Sequence, residues 1–507
     1  MSEPIHSRIR HTAWSAPYQG RRRARRLLCC LIPLLTACSL GPDYKQPGLD
    51  IPPAWRASPA SGAQVWPSAE WWQGFSSPEL NRLIEDARTN SFDILAAIAR
   101  VRQADAALAI AGAPLLPTVD ATAQANWNRS STTTRRSSLG GLAGSGGPRY
   151  FETRTYNLTP SISYELDFWG ALRAQREAAL DNALFSRFDQ QTVALTTVTS
   201  IASTWFQALE QQDRIDVARR NLSDAEQILA AFQARLAAGT ASQLDVSQQE
   251  ALVAGIRAQI PGLQSTLEQD LNGLGVLVGR KPESITVRPG TLTALTLPEV
   301  QPGLPSDLIA RRPDVAAAEA QLAQANANVK FARANFFPQI TLSGSAGWQS
   351  IALGTLFGPG SFFASATASA AQTIFDNGQK TAQFEQNRAR YDELLADYQK
   401  AVVQAFTDVE NGMQAYRYAT EQEAAEQNAV TTAQRAADIA RAQLLAGTID
   451  IITELQVQTT LYNDLDLLVQ ARLNRFQALL SLYKALGGGW SNSDISPPDN
   501  SLFHGVL

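Results

Sequence analysis

The side chains that do most covalent and acid–base chemistry are scarce in this chain, which has three Cys and three His among 507 residues. His6 and His11 stand near the start and His504 near the end, so no spacing assembles a His-based triad or a His/Cys metal cluster. One Cys has a suggestive context: Cys38, in "LLTACSL". It follows the basic cluster "RRRARR" (21–26) and the apolar run "LLCCLIPLL" (27–35), which is too short to cross a bilayer. That order reads as a secretory signal. Leu35-Thr36-Ala37-Cys38 has the form of a lipobox, in which cleavage before the Cys frees its amine and its thiol takes a diacylglyceryl thioether. Ser39 after it suits export to an outer membrane. The alternative is an ordinary signal with an incidental Cys. In either case Cys29 and Cys30 leave with the signal, and no disulfide is expected.

Removal of residues 1–37 takes away seven Arg and one Glu and leaves 36 basic against 46 acidic residues, a net charge of −10. Nothing in such a balance favours nucleic acid, and no such partner is expected. After Cys38 no stretch of 18 apolar residues occurs, so no membrane-spanning helix is expected, and the remaining route into lipid is a β-barrel.

The elements that position these features come in two copies. "DILAAIARVRQADAALAIAGAPLLPTVDATAQANW" (93–127) aligns without a gap on "DVAAAEAQLAQANANVKFARANFFPQITLSGSAGW" (314–348), and Gly170 to Gly279 aligns on Gly378 to Gly487. The two offsets, 221 and 208, leave 13 extra residues in the first copy, in the Ser-, Thr- and Gly-rich stretch 128–154, which is expected to be an exposed loop. Each copy reads helix, strand, strand, helix, helix. In "TVDATAQANW" (118–127) and "YNLTPSISYELDF" (156–168) apolar and polar residues alternate, as they do in "QITLSGSAGW" (339–348) and, less cleanly, in "FFASATASAAQT" (362–373). Strands of this length, apolar on one face and polar on the other, fit a transmembrane barrel; a soluble sandwich is the alternative.

From Gly170 to Ala238 there is no internal Pro or Gly, and from Gly378 to Ala446 only Gly412, so each stretch predicts one helix of roughly 100 Å. Ala194, Val198, Ile201, Trp205 and Ala208 make a seam for a neighbouring helix, while Thr197, Ser200, Thr204, Gln207 and Gln211 make a hydrated, uncharged face, either a pore lining or plain solvent exposure. After "AGT" each long helix turns back in an antiparallel hairpin. Four strands are too few to close a barrel, and open edges in lipid leave backbone groups unpaired at several kcal/mol each, so several copies must join.

Five stretches, "WWQGFSSPELNRLIEDA" (71–87), "ISYELDFWGALR" (162–173), "ARRPDVAAAEAQLAQANANVKFARANFFPQITLSG" (310–344), "AGTIDIITELQVQTTLYN" (446–463) and "SLYKALGGGW" (481–490), resemble the outer membrane factor, or TolC-like, family, in its NodT lipoprotein branch. The resemblance implies a mixed α/β homotrimer with a twelve-stranded β-barrel in the outer membrane and a long α-helical periplasmic barrel. Expected partners are a periplasmic adaptor, an inner-membrane resistance-nodulation-division (RND) transporter and outer-membrane lipid. The implied function is a passive duct for drugs or other small toxic compounds, with no enzymatic activity and no cofactor beyond the covalent lipid on Cys38. The expected organisation is a signal at 1–37, a first repeat at 38–305, a second at 306–490 and a tail at 491–507.

The same resemblance makes the hairpin turns the periplasmic tip. Adaptor contacts map to Arg235, Gly239, Thr240, Gly447 and Thr448, and the gate to Ile452, Thr453, Gln456 and Asp245. Family gates commonly carry Asp after the second turn, whereas Ile452, Thr453 and Gln456 predict a ring closed by packing, with a weak cation preference. The partners that Asp245 would need on the second hairpin are Leu444 and Ile449, so closure through that polar link is not expected. Two other readings remain open: the exit duct of a type I protein secretion system, and a lipid-anchored coiled-coil tether with no channel.

Overall fold

The computed structural model describes residues 44–56, 66–131, 150–300, 303–491 and 495–498. The signal segment, Cys38 and His504 lie outside the described residues. The chain divides into two compact units.

One unit, built from Pro114–Ala174 and Lys330–Thr381, holds a single antiparallel sheet. Its strands are β1 (Thr118–Ser131), β2 (Tyr150–Glu165), β3 (Gln339–Ser350) and β4 (Phe362–Ala371), in spatial order β1-β2-β3-β4. All four expected strands form. β1 and β2 run further than expected, because the ladder continues from Trp127↔Arg154 to Ser131↔Tyr150, so only 132–149 of the expected loop lies outside the described residues.

Register sorts the two faces as the alternation predicts. Val119 pairs with Ile162, Leu158 with Trp348 and Trp348 with Phe362 on one face; Thr122 pairs with Thr159, Ser161 with Ser345 and Ser345 with Ser365 on the other. β4 proves regular, with Ala364, Ala366, Ala368 and Ala370 on the apolar side and Ser365, Thr367 and Ser369 on the polar side. Hydroxyls meet across the polar face, Thr341 with Ser369 at 2.6 Å and Ser345 with Ser365 at 2.7 Å. The sheet does not fold on itself: Val119 is 72% exposed, Phe362 60% and Ile162 46%, which no sandwich core would leave. The junction to the long helix is fixed locally. Asp167 accepts from the amides of Leu172 (3.2 Å) and Arg173 (2.9 Å), while Trp169 donates to the Pro338 carbonyl at 2.8 Å and stacks on Phe337.

The other unit is helical. Its elements are α1 (Pro78–Asn90), α2 (Phe92–Gly112), α3 (Ala171–Ala237), α4 (Gln243–Val278), α5 (Pro305–Ile309), α6 (Pro313–Ala334), α7 (Gln379–Leu445) and α8 (Ile451–Ala485), with the first residues of α3 and α7 and the end of α6 belonging to the sheet unit. α3 and α7 have 67 residues each, as their freedom from Pro predicts. α4 continues through Pro261.

The main core lies midway along the long helices, where Phe75, Leu80 and Ile84 meet Ile201 and Phe206 of α3, Leu274 of α4 and Leu479 of α8. Phe206 stacks edgewise on Phe75 at 5.0 Å and leans on Phe476 at 4.9 Å. The seam forms at Val198, Ile201, Trp205 and Ala208, with Ala194 only half-buried. The hydrated face is corrected: Thr197 is buried, Gln211 is buried beside Gln212 and Asp213, which accept from the Gly290 and Leu292 amides, and Ser200, Thr204 and Gln207 are half-buried. Among the described residues the segments around this core, 44–56, 66–77 and 279–300, hold short 3-10 turns and no strand. Long-range bonds tie them down. Glu79 accepts from Trp205 Nε1 (3.2 Å) and the Arg288 amide (3.0 Å), and Trp55 donates to the Gly303 carbonyl (2.6 Å).

Candidate functional site: the hairpin tips

Both long helices end in the same way. Gly239 (φ 75°) and Gly447 (φ 69°) adopt the left-handed conformation that glycine enters without a Cβ clash. The Thr240 amide reaches back to the Arg235 carbonyl (2.8 Å) and the Thr448 amide to the Gln443 carbonyl (2.9 Å), each hydroxyl bonding the same oxygen. One of the carbonyls left free at each helix end is thereby satisfied, and the Gly239 and Gly447 amides take a second, on Leu236 and Leu444.

The return helices are capped by carboxylates. Asp245 accepts from the Ser242 amide (2.8 Å) while its own amide donates to the Ser242 hydroxyl (3.2 Å), a reciprocal cap. Asp450 accepts from the Thr453 amide (2.8 Å) and hydroxyl (2.6 Å), bonds that hold its carboxyl below the ordinary value. The carboxylate of Asp245 is thus turned to its own helix start, and among the described residues it makes no hydrogen bond to α8.

Apolar packing joins the two turns: Ile228, Phe232, Val246, Leu444 and Ile451 form a buried cluster, with Leu236 and Ile449 against it. The Arg235 guanidinium crosses to the second hairpin and donates to the Leu444 carbonyl at 3.5 Å. Ile452 is half exposed, and Thr453 and Gln456 are exposed beside it on one side of α8, so the structure brings these three positions together with no carboxylate among them.

Two residues at the tip escape sequence reasoning. Asp450 is readable in principle, as an Asp just before an apolar-periodic run. Glu454 is 1% exposed, accepts from Gln458 Nε2 at 3.0 Å, and has its pKa raised by burial. Its signal is its place in the inward stripe Ile451, Glu454, Gln458 and Leu461. From the facing hairpin, the fully buried Gln249 donates to the Ala225 carbonyl at 2.9 Å.

Residues 83–280 and 304–488 match the outer membrane efflux protein family. The chain is 38% identical over 460 residues to the pyoverdine export outer membrane protein OpmQ of Pseudomonas aeruginosa, covering 90% of this chain and 95% of that one. It is 32% identical to the toluene efflux pump outer membrane protein TtgC of Pseudomonas putida, covering 90% and 94%. The solved structure of the outer-membrane channel OprN superposes with a TM-score of 0.81 at 26% identity, over 89% of this chain and all of that one. With two strand pairs, two long helical hairpins and a family match across both repeats, this chain belongs to the outer membrane efflux protein family.

Proposed function

We propose that the chain works as a homotrimer, forming the outer-membrane exit duct of an RND-type efflux pump, with a periplasmic adaptor and an inner-membrane transporter as partners. The observation that carries this reading is the sheet: among the described residues, β1 and β4 each leave one edge unpaired, with one face apolar and the other polar. An even number of antiparallel strands makes β4 run opposite to β1, so β4 of one copy joins β1 of the next and a ring of copies closes with every backbone group paired. Three copies give twelve strands, a size within the range of outer-membrane barrels. The apolar band then faces lipid, and hydroxyls and amides line the lumen.

Cys38 carries the lipid that anchors the mature chain. The turns at Gly239-Thr240 and Gly447-Thr448, with Arg235, dock the adaptor, and Ile452, Thr453 and Gln456 surround the narrow point. The duct is passive and catalyses nothing; energy comes from the inner-membrane partner. Relatives named for pyoverdine and toluene export support small molecules as cargo. The test is reconstitution of the purified protein in planar bilayers. Discrete pores, widened by substitution of Ile452 and Gln456 with Ala, are expected; protein that forms no pore, substituted or not, refutes the reading.

A further inference from the structure

The apolar face of the sheet carries only three charged residues among the described strands, and all three gather at one end: Arg129, Glu152 and Arg154. This is the hairpin end of β1 and β2, opposite the end at which the chain leaves for the helices. Register places Arg154 directly across from Trp127, and Arg129 two residues further out, across from Glu152. The aromatic side chains of this face step inward from there across the strands: Trp127 opposite Arg154, Tyr156 two residues further in, and Trp348, paired with Phe362, opposite Leu158. Arg129 is already engaged, 3.7 Å from Glu152 and 4.2 Å above the Tyr150 ring. Arg154 is exposed and forms no ion pair among the described residues. Beside it a groove of about 290 Å³ is lined by Ala125, Asn126, Trp127, Arg154 and Tyr156.

If the barrel stands in the outer membrane, as proposed above, a row of rings marks the level where acyl chains give way to headgroups. A guanidinium at that level snorkels its stem along the apolar face and presents its fork to whatever anion is there. The outer leaflet of such a membrane offers phosphates carried on sugars, and Arg binds phosphate through two parallel N–H bonds. We propose that Arg154, flanked by Trp127 and Tyr156 and supported by Arg129, is a binding site for the phosphorylated headgroup of an outer-leaflet glycolipid, whose nearest acyl chain lies along the Ala125 and Tyr156 side of the groove. Glu152 competes with the phosphate for Arg129.

The test titrates the full-length protein, purified in detergent, with diphosphoryl lipid A and counts bound lipid by native mass spectrometry. Occupancy of up to one lipid per chain is expected, weakened about tenfold in R154Q through loss of a charge-assisted pair. R154K should keep part of the affinity, and E152Q should gain, because it frees Arg129. Equal binding by R154Q, by fully dephosphorylated lipid A or by phosphatidylglycerol overturns the site. Pore formation in planar bilayers separates the two readings: variants that form normal pores and bind lipid A undiminished sink the lipid site alone, whereas an unsubstituted protein that forms no pore sinks the barrel.

Discussion

Arg214 of α3 grips Asp466 of α8 with two prongs, Nε to Oδ1 at 2.7 Å and Nη2 to Oδ2 at 3.1 Å, while its remaining nitrogen lies 3.4 Å from the buried Glu210. The guanidinium thus bridges the two hairpins. Truncation in R214A leaves Asp466 without its cationic partner, with only Gln470 still donating to it, and is expected to cost about 2 kcal/mol; thermal unfolding of the detergent-solubilised protein measures it.

Glu210 makes that same region pH-sensitive. Burial pushes its pKa from 4.5 to about 7, against the downward pull of Arg214 and with added upward pressure from Asp466 and Asp270. A folded-state value above the unfolded one means that the folded protein holds the proton more tightly. The resulting stability is complete below about pH 4.5 and is lost as pH rises through about 7, an effect on the order of 3 kcal/mol. The E210Q variant should flatten the melting temperature between pH 5 and 8, and a profile as steep as that of the unsubstituted protein would remove Glu210 as the cause.

Glu454 should act in the same sense at the tip. Burial raises its pKa, while Gln458 and Arg441 pull it down. Stability at the tip is therefore greatest in acid and declines as pH rises past 4.5 and through the raised value. Hydrogen exchange of the amides in 444–458 should quicken between pH 5 and 8, after correction for intrinsic rates, and E454Q should suppress the difference.

Gly239 and Gly447 offer a geometric test. Open space surrounds both, so an added methyl group meets no neighbour and the cost of replacement comes from φ alone. Ala at either site should cost roughly 1 to 2 kcal/mol through the left-handed conformation, and Asn less, since its short polar side chain tolerates that region. A larger loss for Asn than for Ala, in thermal unfolding, would contradict this account of the turn.

The long elements are legible because their causes are local. Freedom from Pro sets the span of α3, and alternation of Ala with Ser sets the two faces of β4. What stays hidden depends on distant partners. Gln212 and Asp213 look free in a local pattern and are claimed by the amides of Gly290 and Leu292; Trp55 finds its acceptor on Gly303, 248 residues away. At the tip, sequence locates Ile452, Thr453 and Gln456 on one side of α8 but not the turned-in Glu454, whose charge argues for solvent while its position in the stripe argues for the interior.

That side of α8 gives the sharpest electrical prediction. In a ring of copies around the duct, each would contribute Ile452, Thr453 and Gln456, none of them charged; of the carboxylates beside them, Asp450 is bonded to Thr453 and Glu454 is buried. With no converging negative charge at the narrow point, the pore should favour cations only weakly. The Q456E substitution keeps the side chain's size and places a carboxylate on the exposed side, so the reversal potential in a salt gradient should move toward that of a cation-selective pore, most strongly at low ionic strength, where screening is least. I452D should do the same with a larger rise in conductance, since it also removes an aliphatic side chain from the constriction. If neither substitution shifts the reversal potential, Ile452 and Gln456 do not face the permeating ions, and the gate lies elsewhere on α8.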